Sequence, residues 1–188
     1  LRDIAERIGG YMAHDAGNET MHLPYFNQTL HITSSQVSDA SGEPLSRNEQ
    51  TFIFIHMAHG GSALPSGNMK SFKEFPNTVS KIVSMQSHVE APLVNAFGNR
   101  PEQLAAACEA VGGMTVTESY AACDYACRFS VFPKVPVTLL YWRAQEEFDA
   151  QVKLMFDDTI IEHLDIEAIM FLSEHLCHLL TRDRACIS

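Results

Sequence analysis

This sequence is short of positive charge. Its 188 residues carry 13 Lys and Arg against 23 Asp and Glu, a formal charge of -10 and a pI near 5.3. The basic residues form no cluster, so a partner bound mainly through its phosphates, nucleic acid above all, is excluded. No apolar run approaches the roughly 20 residues that a membrane helix needs, and no membrane partner is expected. The G-x-S-x-G, G-x-x-x-x-G-K-[ST] and G-x-G-x-x-G patterns do not occur, so hydrolase, P-loop and dinucleotide-binding readings lose their main support. Disulfides are not expected either. Five cysteines are an odd number in a chain long enough to bury a core without stapling, and reduced thiols in a cytoplasmic setting fit them best. The N-terminus has no charged segment followed by an apolar one, but it opens on Leu1 rather than Met, which leaves room for an upstream signal or domain.

What is present is 46% apolar and 19% charged residues, the balance of a globular chain. Ile4 and Ile8, four apart before Gly9-Gly10, predict a short first helix. "NETMHLPYFNQTLHITSSQV", broken at Pro24 and Asn27, predicts a hairpin. "EQTFIFIHMAHGG" reads as a helix capped by Ser46 or Asn48 and stopped at Gly60, with a buried strand as the alternative. "NMKSFKEF" reads as a strand. Residues 77–98 place Val79, Ile82, Val83, Gln86, Val89, Leu93 and Phe97 near one helical face, with a kink or break at Pro92. The next helix has Asn99 as N-cap, Glu102 completing a capping box, Pro101 in its first turn and Gly112 as its end. Two or three strands follow, the last over Val135–Trp142, an almost continuous apolar run typical of a central strand. Pro133 and Pro136 mark its start or an edge. A loop and a short strand lead to a final helix capped by Asp165, with Ile166, Ile169, Met170, Ser173, Leu176 and Leu180 inward. With no repeats, this order predicts a single α+β domain over residues 1–188, a mixed or antiparallel sheet packed with helices.

Three clusters carry candidate chemistry. His56 and His59 share a helical face, a spacing that can hold zinc or iron or offer an axial ligand to a haem or cobalt. Zinc would need a third ligand that spacing does not identify. The plainer reading makes His56 a core histidine and His59 a helix-end residue favoured by the dipole. Met57, with other methionines and Trp142, Tyr141 and Phe156, suits an adaptable pocket for a flat apolar ligand, although methionine is more often a gap-filler. Cys123 and Cys127 are spaced as in some zinc sites, or are small buried hydrophobes. Glu146, Glu147, Asp157 and Asp158 suit acid–base work, a hard cation, or simply solvated loops and helix caps.

Four segments, "AVGG" (Ala110 to Gly113), the P-x-x-P at Pro133 and Pro136, "YWRAQEEF" (Tyr141 to Phe148) and "LMFDDT" (Leu154 to Thr159), together carry a resemblance. The chain resembles the domain-of-unknown-function 3786 family of mostly anaerobic bacteria and archaea, from about Asp3 to the last helix. The resemblance implies a small α+β domain often found behind a four-cysteine iron–sulfur segment, in one-carbon, corrinoid or tetrapyrrole metabolism, and it implies no catalytic residues. The first cysteine here is Cys108, so that cysteine run is either missing or dispensed with. The expectation is a non-enzymatic ligand-binding or accessory domain holding a corrinoid or haem, with His56, His59, Met57 and Trp142 around it. The alternatives are a metal-dependent enzyme using His56, His59 and a carboxylate such as Asp157, and an interaction module for an iron–sulfur protein partner.

Overall fold

A computed structural model describes residues 1–15, 18–117 and 123–182. The fold is α+β, and its strands form two antiparallel sheets rather than one. After α1 (Arg2–Ile8), strands β1 (Tyr11–Asp15), β2 (Asn18–Tyr25), β3 (Gln28–Ile32) and β4 (Val37–Ser38) make a four-stranded meander in chain order. Met21, Leu23, Tyr25, Leu30 and Ile32 alternate inward, as a half-buried sheet requires. The second sheet has the order β5 (Met69–Ser71), β9 (Gln151–Asp157), β8 (Val135–Trp142), β7 (Tyr125–Phe132), β6 (Met114–Thr115), which puts the apolar run of β8 at its centre. Pro133 lies in the β7–β8 turn. Pro136 sits within β8 opposite Ser130, beside the register shift between Ser130 and Phe132, where a missing N–H is tolerated.

Helix α2 (Arg47–His59) begins at Ser46, whose side chain accepts from the Glu49 amide while Glu49 accepts from the Ser46 amide. This is the capping box that "S-x-x-E" encodes. The helical stretch after β5 departs from its predicted face. It runs as α3 (Ile82–Met85), a π turn (Gln86–Glu90) and α4 (Ala91–Phe97), with the Ala91 amide bonding the Gln86 carbonyl five residues back. The extra residue in that turn shifts the phase. Met85, Val89, Leu93 and Phe97 are buried, while Val79 and Val83, expected inside, are 84% and 71% exposed.

Helix α5 (Pro101–Ala110) also differs from the expectation at its start: Arg100 is the N-cap, with no side-chain cap, and Asn99 lies outside. Proline at the first helical position forces the residue before it out of the helical region, which makes Arg100 the boundary. Gly112, at φ +83°, turns the chain after α5. Helix α6 (Ile166–Thr181) is capped by Asp165, which accepts from the Ala168 amide. The predicted inward set is buried except for Ile166, which is half-buried, and Cys177 joins it.

One continuous core joins the sheets. The β2–β3 turn, Phe26-Asn27, docks on the second sheet: the Phe26 amide donates to the Val131 carbonyl at 3.1 Å, and Asn27 Nδ2 donates to the Ala110 carbonyl at 2.9 Å. No helix is long and apolar enough to cross a membrane among the described residues.

Candidate functional site

The histidine pair of α2 separates on folding. His56 is fully buried; its ring stacks on Phe132 at 3.9 Å between centroids, with an interplanar angle of 7°. Its Nδ1 lies 3.4 Å from the His163 carbonyl, and because a carbonyl only accepts, Nδ1 carries the proton and Nε2 keeps a lone pair. Among the described residues that Nε2 has no partner. His163 repeats the pattern. Its Nε2 donates to the Ala63 carbonyl at 3.1 Å, and its Nδ1 is buried without a partner. Burial above all pushes the His56 pKa down to about 3; the bond to the His163 carbonyl opposes this, while the His163 and Arg7 charges add smaller shifts downward, so the ring is neutral. His163 shifts the same way, again chiefly through burial.

His59, the last residue of α2, is exposed, and Met57 is buried. Neither histidine lines the cavities described below. Trp142 is far from both. Phe132, the partner of His56, pairs with Val135 at one end of β8, and Trp142 ends that strand, about 23 Å away at roughly 3.3 Å per residue. The four predicted ligand-binding residues therefore do not gather in one site. Among the described residues, no group of three or more His, Cys, Asp or Glu is placed to hold a metal ion. The glycines after His59 serve packing: a Cβ on Gly60 would meet Ile8 Cγ2 at 2.7 Å and the His56 carbonyl at 2.5 Å. Arg7 closes this helix end, donating to the Met57 carbonyl at 2.8 Å and to that of Gly60.

The carboxylates also divide. Glu146 and Glu147 are exposed. Asp157 is buried and accepts from the Ser66 amide (3.1 Å), the Gly67 amide (2.7 Å), and the Thr159 amide and hydroxyl (3.1 and 2.7 Å). Burial raises its pKa, but the bonds from Thr159, Ser66 and Gly67 together outweigh it and hold the group below the usual range. Asp158 accepts from the Ser66 hydroxyl at 2.6 Å and Asn68 Nδ2 at 2.8 Å. Both acids bind the loop before β5 to the end of β9.

A ligand-sized opening lies elsewhere, where the π turn crosses β9. Strand β5 pairs only with Met155–Asp157, so the earlier part of β9 presents an open edge to the helix. A cavity of about 420 Å³ sits there, walled by Phe72, Ile82, Met85 and Met155 and by the polar ends of Gln86, Glu90 and Lys153. A second, of about 320 Å³, adjoins it and shares Gln86, Glu90 and Lys153. Both volumes fall in the range of small-molecule sites. The Glu90–Lys153 ion pair, 3.2 Å apart, stands between them. Their side chains keep 17% and 39% of their exposure, so the pair is shielded yet reachable.

A family model described as Domain of unknown function (DUF3786) matches residues 1–179. The chain belongs to the DUF3786 family. No curated protein and no solved structure matches it. In this DUF3786 chain the four quoted segments are structural joints. "AVGG" is the turn that receives Asn27, since a Cβ on Gly112 would lie 2.6 Å from Asn27 Cβ. P-x-x-P shapes the β7–β8 turn, with Pro133 so close to Gly9 that a Cβ there would lie 2.7 Å away. Tyr141 of "YWRAQEEF" donates to the Gly98 carbonyl at 2.9 Å, and "LMFDDT" holds the Ser66–Asn68 loop. Sequence reasoning missed Glu90, Lys153 and His163. A proline inside a helical pattern, two residues after Glu90, was the one signal for the groove; nothing in "IIEHLD" singled out His163.

Proposed function

We propose that this chain is a small-molecule-binding or accessory domain and that the groove along the open edge of β9 is where it binds. The reading rests on one observation: a shielded Glu90–Lys153 pair with Gln86 beside it, facing an apolar wall, at a π turn. A π turn gives up regular helical bonding and is frequent at functional sites. The ligand that fits is flat, apolar over its faces and polar at its rim. Phe72, Met85 and Met155 would meet the faces, Lys153 would take a rim carboxylate, and Gln86 and Glu90 would take rim amides.

Haem, with carboxylates at its rim, and cobalamin, with amides, are the first candidates, because the family resemblance leads to tetrapyrrole chemistry. The metal in either would supply redox or ligand-exchange chemistry when bound. The groove itself offers no imidazole, so the chain's part is to hold the ring. His56, its face covered by Phe132, does not present Nε2 to this groove.

Absorbance titration of the purified protein with each compound tests the reading. The expected result is a saturable band shift with at least one of them. Lys153→Ala should weaken the haem response, or Glu90→Ala the cobalamin response, by about tenfold, and His59→Ala should change neither. No shift with either compound, or shifts indifferent to both groove variants, would overturn it.

A further inference from the structure

Trp142, expected beside the histidines of α2, lines an opening of its own at the far end of the second sheet. Trp142 and Gln151 stand directly opposite each other as the last pair of β8 and β9, so their side chains leave on the same face. Beyond them the connecting hairpin closes again at Gln145 and Phe148. The Gln145 amide donates to the Phe148 carbonyl at 2.8 Å and the Phe148 amide to the Gln145 carbonyl at 3.2 Å, with Glu146 and Glu147 as the tip. Between these two closures lies a cavity of about 300 Å³, walled by Trp142, Arg143, Gln145, Phe148, Asp149 and Gln151. That is the lower end of the range for small-molecule sites. Gln151 is the lining residue it shares with the groove along β9.

Packing does not account for the two aromatic rings here. Phe148 is 64% exposed and Trp142 half-buried, although rings of that size stabilise a fold most when fully covered. The polar residues around them narrow what the opening can hold. Arg143 is turned to Asp124: its amide donates to one carboxylate oxygen at 2.8 Å and its Nε lies 3.7 Å from the other. Asp149 has no ion-pair partner among the described residues, and with Glu146 and Glu147 just before it the opening turns away phosphates and other anions. A cation would meet the Arg143 guanidinium in the wall. A neutral ligand remains. Asp149 offers acceptors, Arg143 offers donors, and the amides of Gln145 and Gln151 offer both. Hydroxyl groups match that mixture, because each donates and accepts at once. The aromatic rings require an apolar face on the same molecule.

We propose that this opening is a carbohydrate site that takes a neutral pyranose. Trp142 and Phe148 cover the C–H face of the sugar, Asp149 accepts from its hydroxyls, and Gln145 and Gln151 orient the rest of the rim. The site stands independently of the groove at the π turn and of the ligand proposed there.

Trp142 is the only tryptophan in the chain, so its fluorescence reports this opening directly. The full chain is titrated with methyl glucoside, methyl galactoside, methyl mannoside and N-acetylglucosamine, and separately with choline and inorganic phosphate, exciting where tyrosine does not absorb. The expected result is a saturable change in emission with at least one sugar and none with choline or phosphate. Phe148→Ala and Asp149→Ala, both at exposed hairpin positions, should each weaken the sugar response about tenfold. Lys153→Ala, which alters the groove, should leave it unchanged. As a reading that needs no variant, NMR of the sugar with the wild-type chain should show its ring protons shifted upfield by the aromatic rings. No emission change with any of the four sugars, saturation by choline or phosphate instead, ring protons that do not shift, or a sugar response indifferent to both hairpin variants would each overturn the proposal.

Discussion

His56 shows at the scale of one residue how burial sets chemistry. An imidazole stripped of water resists a charge even with one nitrogen bonded to a carbonyl, and its pKa falls to about 3 from an ordinary 6.5. For a base depressed in the folded state, the unfolded chain binds the proton that the folded chain refuses. Stability is therefore full above pH 6.5 and declines as pH falls, by up to about 1.4 kcal/mol per pH unit from this group. His163 and His175, both lowered chiefly by burial, act in the same direction. Urea melts should show the midpoint dropping between pH 6.5 and 4.5 in the wild type. His56→Phe, which keeps an aromatic ring against Phe132, should flatten that slope; an unchanged slope would show that His56 is not its source. At the same scale, the sequence supplied His56 as a candidate, and its meaning came from Phe132 and His163, which are 76 and 107 positions away in the chain.

At the scale of elements, local chemistry was legible wherever a side chain acts within one turn. Ser46 and Glu49 closing α2, and Asp165 closing α6, are bonds between residues three apart, which a sequence displays directly. Ser46→Ala should cost about 1 kcal/mol of unfolding free energy, read as a lowered midpoint in denaturant; no loss would mean that the cap is solvated in solution. The helix through Gln86–Glu90 was half legible. Pro92 announced an irregularity, but whether a helix answers it with a break, a kink or a π turn depends on what it packs against, here α6 and the edge of β9. The same limit hid the groove, because its ion pair joins Glu90 to Lys153 across 63 residues.

The whole molecule depends on a few places where the two sheets lock together. Asn27 seated in the turn at Gly112 is the clearest, since the turn needs φ +83° there and leaves no room for a Cβ. Gly112→Ala should destabilise the whole fold by about 2–4 kcal/mol. Because one core spans both sheets, melting should stay a single transition at lower temperature; two separate transitions would show that the sheets unfold independently.

The sequence alone determined the class of fold, the ends of its capped helices, the central place of β8 and the family. These follow from periodicity, capping and turn chemistry, which act over a few neighbouring residues. The tertiary structure alone decided that the strands form two sheets, that His56 is buried while His59 is exposed, and that the Glu90–Lys153 pair meets along the open edge of β9. Each of those depends on which distant segments touch. Such contacts are selected by packing the whole core at once, and no stretch of the chain contains that information by itself.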